Sequence, residues 1–190
     1  MKVLAVNGSP RKDGNTALLL EKVCAPLRDA GIETEIYQLS GQPLRGCMAC
    51  MKCWERKDGR CVIANDPLNG LVEKLKEADG LLLGSPTYFA DVTAEMKAFI
   101  DRSGMVARAN GNLLQRKVGA GVVAARRGGP MHALQTLQSY FLINEMIVPG
   151  SNYWNISFGR NIGDVENDAE GIATMERLGE NMAWLLGKLS

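Results

Sequence analysis

A chain of 190 residues, 46% apolar and 23% charged, can bury a core without disulfide support and suits one α/β domain better than two. A formal net charge of +1 gives no electrostatic basis for a nucleic-acid partner or an anionic membrane. No stretch approaches the ~20 apolar residues of a membrane span, and the apolar run at 3–6 is too short for a signal-peptide core, so a cytoplasmic location is expected.

Short strand-like runs alternate with longer helical ones. Residues 3–7 form a first strand, and 16–30 carry apolar residues at helical spacing until Gly31 ends the helix. Residues 34–39 are a second strand. The connection 40–66 is long, contains four cysteines, and such loops within a compact domain are usually functional. Asp66-Pro67 opens the next helix, to about residue 78, as an N-cap followed by a first-turn proline. Residues 80–84 are a fully apolar third strand of the kind found in parallel sheets covered on both faces. Further elements are a helix at 93–103, a strand at 117–124, a helix at 131–145, a short fifth strand at 146–148 and a last helix at 166–188. The βαβαβαβαβα order predicts a doubly wound, five-stranded parallel sheet in a three-layer α/β/α sandwich, spanning 1–190 as one domain with the cysteine loop inserted after strand two. Ligands of such folds bind beyond the carboxyl ends of the strands, near the switch in strand order.

The loop after strand one runs from Gly8 to Thr16 straight into a helix. Unpaired N–H groups and the dipole at a helix start form an anion site. Ser9, Asn15 and Thr16 add donors, Arg11 offsets phosphate charge, and Gly8 and Gly14 permit close backbone approach. The loop is neither a Walker A loop nor a G-x-G-x-x-G fingerprint, which disfavours an NTPase and a Rossmann dehydrogenase.

Gly8-Ser9-Pro10-Arg11 with Gly14-Asn15-Thr16 resembles the FMN-phosphate loop of the NADPH-dependent FMN reductases, a branch of the flavodoxin-like proteins with sheet order 2-1-3-4-5. The resemblance continues through Ser85-Pro86-Thr87-Tyr88-Phe89 after strand three, which in that family wraps an edge of the isoalloxazine ring. Ala125-Arg126-Arg127-Gly128-Gly129 after strand four resembles the second flavin loop. It implies FMN held by Ser9, Arg11, Gly14, Asn15, Thr16, residues 85–89, Ala125, Arg126, Gly128 and Gly129. Helix 94–102 resembles the helix that carries the family's dimer contacts.

Cys47, Cys50, Cys53 and Cys61 read C-x2-C-x2-C-x7-C. Four thiolates suit a [4Fe-4S] cluster or tetrahedral zinc, and reduced thiols or a redox disulfide stay open. The C-x2-C-x2-C run favours the cubane, since four-cysteine zinc sites usually come as two separated knuckles. The motif also resembles that of iron–sulfur flavoproteins, although its last gap is longer. That resemblance implies all four cysteines as cluster ligands and a homodimer or homotetramer in which one subunit's cluster approaches another's flavin. Cys24, on the apolar face of the first helix, reads as a small buried hydrophobe.

The expected function is therefore electron transfer between the cluster and FMN. The alternatives are a cluster-free NAD(P)H-dependent FMN or quinone reductase and a non-enzymatic carrier or sensor. The electron donor, NAD(P)H or a protein such as ferredoxin, is not specified by any residue pattern.

Overall fold

The computed structural model describes residues 1–190. Five parallel strands form one sheet: β1 (Lys2–Asn7), β2 (Glu33–Gln38), β3 (Gly80–Pro86), β4 (Val118–Ala125) and β5 (Ile156–Phe158), in the order β2-β1-β3-β4-β5. The expected sheet and order are found. The helices are α1 (Asn15–Asp29), α2 (Lys52–Arg56), α3 (Leu68–Glu77), α4 (Ala94–Ala109), α5 (Pro130–Ile143) and α6 (Ala169–Leu189). No helix is long and apolar enough to cross a membrane.

Strand side chains alternate between the two faces, so each central strand feeds two cores. Val3 and Ala5 of β1 and Leu82 of β3 join α1 and α6 in one cluster. Leu4, Val6, Leu81 and Leu83 join α3, α4 and α5 in the other. In β4, glycines admit the covering helix: a Cβ on Gly119 would lie 2.6 Å from Phe141, and one on Gly121 2.9 Å from Leu137. These clusters cover both faces and leave the carboxyl-end loops as the open edge. Cys24 is fully buried in the α1–α6 cluster, and burial pushes its thiol up to about 12.

The fifth strand lies elsewhere than expected. Residues 146–148 contribute only a bridge, Ile147 to Val118, at the start of β4. Pro149-Gly150 then breaks the pairing, and Ile156–Phe158 lies against Val123–Ala125 at the other end. Two segments thus share one edge of β4. The helix expected at 93–103 runs on to Ala109, with Gly104 inside it on the side of the Tyr140 ring. The last helix begins at Ala169, preceded by a 3-10 turn at Asp164–Asn167.

Candidate functional site

Three loops meet at the carboxyl edge around an open cleft. Ser9, Pro10, Arg11, Asn15 and Thr16 come from the first loop, Pro86, Thr87 and Tyr88 from the second, and Ala124, Ala125 and Arg126 from the third. A fourth segment, Gly159-Arg160 after β5, completes the wall and was not singled out from sequence. Three guanidinium groups and no carboxylate line this cleft. Its field therefore favours an anion.

The first loop is held by its own polar groups. The Asn7 amide oxygen accepts from the Ser9 N–H at 3.0 Å, and the Ser9 hydroxyl accepts from the Arg11 N–H at 3.1 Å. Gln38 on β2 braces the loop from outside by donating to the Ser9 carbonyl at 2.6 Å. No side chain caps α1 at Gly14, so its first-turn N–H groups stay available. Asn15 lines the cleft and also ties loops together. Its amide donates to the Asn161 carbonyl and accepts from the Gly163 N–H at 2.8 Å, tying the fourth segment to the start of α1. Gly159 is required there, since a Cβ would lie 2.8 Å from Asn15 Nδ2.

Loops one and two are stitched beneath the cleft. The Gly8 N–H donates to the Gly84 carbonyl at 2.8 Å, and the buried Thr93 hydroxyl donates to the Gly8 carbonyl at 2.7 Å. Thr93 also accepts from the Met96 N–H, which caps α4, and its own N–H donates to Ser85 Oγ at 3.2 Å. Ser85 is therefore a buried brace rather than part of the lining. Phe89 is fully exposed and, like Gly14, Gly128 and Gly129, does not line the cleft. Gly129 starts α5 in a left-handed conformation at φ +91°, with Thr87 Cγ2 3.4 Å from where a Cβ would stand.

Two hydroxyls in the lining, Thr16 Oγ1 and Thr87 Oγ1, are buried without a hydrogen-bond partner. Buried hydroxyls normally have one. Together with the uncapped α1 and the three arginines, these orphans fit a phosphorylated polar ligand such as FMN.

The four clustered cysteines surround a second, narrow recess, lined also by Met48, Met51, Val62, Ile63 and Met105. All four thiols are free of disulfides. Ala49 at φ 52° and Met51 at φ 58° are left-handed, an uncommon state for residues with a Cβ, and they curl the 47–53 segment around the recess. Burial pushes the Cys53 thiol upward. The seven-residue gap is taken up by α2 and by left-handed turns at Lys57 and Gly59. Asn110 then accepts from the Gly59 N–H, and buried Asn69 both accepts from the Cys61 N–H at 2.8 Å and donates to its carbonyl at 3.0 Å. The fourth cysteine is thus fastened to α3 and α4. No three side chains of His, Cys, Asp or Glu are gathered tightly enough to hold a single metal ion. The unpaired thiols and their common recess fit a polynuclear group by donor chemistry.

A 2-1-3-4-5 sheet with an anion-suited cleft at its carboxyl edge defines a flavodoxin-like protein. The profile of the NADPH-dependent FMN reductases matches residues 1–161. An iron–sulfur flavoprotein of Methanocaldococcus jannaschii is 39% identical over 96% of both chains, and one of Methanosarcina thermophila is 31% identical over 98% of this chain and 95% of its own. The flavodoxin, WrbA-like protein from Agrobacterium tumefaciens shares the fold, with a TM-score of 0.69 at 15% identity over 100% of this chain and 99% of its own. The chain belongs to the NADPH-dependent FMN reductase family, among its iron–sulfur flavoproteins. It is a flavin-dependent oxidoreductase that uses FMN.

Proposed function

We propose that the protein transfers electrons between a [4Fe-4S] cluster ligated by Cys47, Cys50, Cys53 and Cys61 and an FMN bound in the carboxyl-edge cleft. The observation that carries this reading is the gathering of all four free thiols, from a C-x2-C-x2-C run and a distant fourth position, around one recess. When bound, FMN exchanges one or two electrons and the cluster exchanges one, so the pair joins one-electron and two-electron partners.

The chain's own groups bind and position. The α1 N-terminus, Ser9, Arg11 and Thr16 hold the phosphate; residues 86–88 and 125–126 flank the ring; Arg160 adds charge at the rim. The Ala49 N–H donates to Cys47 Sγ at 3.4 Å and helps to fix that sulfur at the recess. The electron donor is NAD(P)H or a protein such as ferredoxin. The subunits assemble as a homodimer or homotetramer that brings one subunit's cluster to another's flavin; the exposed Tyr88, Phe89, Leu142 and Ile143 supply apolar surface for such contacts.

A second reading, a cluster-free NAD(P)H-dependent FMN or quinone reductase, draws on the cleft's three arginines, more cation than one phosphate monoester needs. An absorption spectrum of anaerobically purified protein, with iron, acid-labile sulfide and FMN assays, separates the two. About four irons per FMN are expected. A clean flavin spectrum without iron, even after anaerobic reconstitution, refutes the cluster and leaves the reductase.

A further inference from the structure

The recess has one charged side chain in its lining, and it was not read from the sequence. Arg102, in the middle of α4, has a side chain 1% exposed and pairs with the equally buried Asp66 carboxylate. Its Nη1 also donates to the Arg45 carbonyl at 3.1 Å. Its Nη2 reaches Asp66 Oδ1 at 3.2 Å, the Ile63 carbonyl at 3.4 Å and Cys61 Sγ at 3.3 Å. Every other lining residue is Cys, Met, Ala, Val or Ile.

A buried ion pair is poor evidence of stabilisation, because desolvating both charges offsets most of their attraction. What sets this one apart is the sulfur. A thiol is a weak acceptor, whereas a guanidinium N–H facing a thiolate makes a charge-assisted bond roughly twice as strong as a neutral one. Asp66 meanwhile has two tasks, since its Oδ1 also accepts from the Leu68 N–H at the start of α3. The carboxylate thereby anchors the guanidinium to the helix that also fastens Cys61.

Resting on the cluster reading above, we propose that Arg102 is a positioning residue for the cluster, a fixed buried cation bonded to the sulfur of the fourth ligand, and that with Asp66 it sets the cluster's midpoint potential. Hydrogen bonds to ligand sulfurs and nearby charge are established levers on such potentials. Arg102 favours the reduced, more negative state and Asp66 opposes it.

The two residues therefore make opposite predictions from the two sides of one ion pair. Wild type, Arg102→Lys, Arg102→Gln and Asp66→Asn are prepared anaerobically as full-length protein with FMN. Each is assayed for iron and sulfide and titrated with dithionite under electron paramagnetic resonance, with the flavin potential read in the same titration. Arg102→Gln is expected to lower the cluster potential and Asp66→Asn to raise it. Each should change the one-electron equilibrium constant at least tenfold, or about 59 mV. Arg102→Lys should fall between wild type and Arg102→Gln, and the flavin potential should stay in place. An asparagine amide oxygen can still accept from the Leu68 N–H, so Asp66→Asn keeps the start of α3. Shifts of the same sign, or no shift in variants that retain the cluster, overturn the proposal. So does loss of the cluster from every variant while wild type keeps it, which would make the pair a scaffold. If wild type itself takes up no iron and sulfide on reconstitution, it is the cluster reading that has failed.

Discussion

Thr93→Val tests whether the seam between the first two flavin loops organises the cleft. The substitution is nearly isosteric and removes only a hydroxyl, at a side chain that is wholly buried. Two bonds go with it: the 3.2 Å cap on the Met96 N–H and the 2.7 Å donation to the Gly8 carbonyl. Losing a threonine N-cap costs about 0.5–2 kcal/mol. A buried carbonyl left unpaired costs about 1–3 kcal/mol. Because one hydroxyl makes both bonds, the terms overlap, and a total of about 2–4 kcal/mol is expected. Thr93→Ser keeps the hydroxyl and sacrifices one buried methyl, worth about 0.8 kcal/mol. Urea unfolding of the apoprotein reads the stability difference, and quenching of flavin fluorescence reads FMN affinity. The valine variant should also bind FMN about tenfold more weakly, ~1.4 kcal/mol, because the Gly8 carbonyl sits where loop one leaves the sheet. A valine variant no less stable than the serine variant, with unchanged FMN affinity, refutes the seam.

Gly84→Ala would set a Cβ 2.9 Å from three atoms of the buried Leu20 side chain. It should cost about 1–3 kcal/mol in urea unfolding, partly recovered by adding Leu20→Val. Thr16→Val removes a buried hydroxyl that has no partner, so the apoprotein should be as stable as wild type or more so while FMN affinity falls, both measured as above. A loss of apoprotein stability would show that the hydroxyl has a partner without ligand. Burial alone would raise the Asp168 pKa, but the Phe158 and Gly171 N–H groups and the Ser157 hydroxyl outweigh it and hold the carboxylate below its usual range. Its contribution is complete above the unfolded value of about 3.9 and is lost as pH falls through the lowered native value. Asp168→Asn should therefore show a smaller loss of stability between neutral and acid pH, measured by urea unfolding across that range.

What could be read in the sequence was whatever local pattern determines. The apolar runs of β1, β3 and β4, the start of α1 and the cysteine spacing carry their meaning within a few residues, and the fold and cleft follow from them. The fifth strand escaped because Met146-Ile147-Val148 is apolar throughout, whereas Ile156-Ser157-Phe158 is interrupted by a serine and only partly buried. Only the length of β4, which pairs with both segments, decides between them. Arg160 escaped for a similar reason: an arginine in a polar loop carries no mark of its destination until Asn15, 146 residues from Asn161, ties that loop down. Nothing in the sequence around Arg102 marks it as buried, and its partner Asp66 reads as an ordinary N-cap. Their pairing spans 36 residues and belongs to tertiary structure alone.

One helix serves both sites. The N-cap of α4, Thr93, closes the seam under the flavin cleft, and Arg102 reaches Cys61 nine residues later, about 13.5 Å along the axis at 1.5 Å per residue. Between them α4 is anchored to α5: Phe99 is fully buried, and the Ser103 hydroxyl bonds the Phe99 carbonyl at 2.6 Å and the Tyr140 hydroxyl at 2.9 Å. An anchored rod holds its two ends at a fixed separation. It also sets the cysteine recess apart from the cleft of the same chain. Cys47, Cys50, Met48 and Met51 at the rim of the recess are exposed. A cluster held beneath such a rim would exchange its electron through that rim, and the subunit assembly proposed above would have to set another subunit's cleft against it.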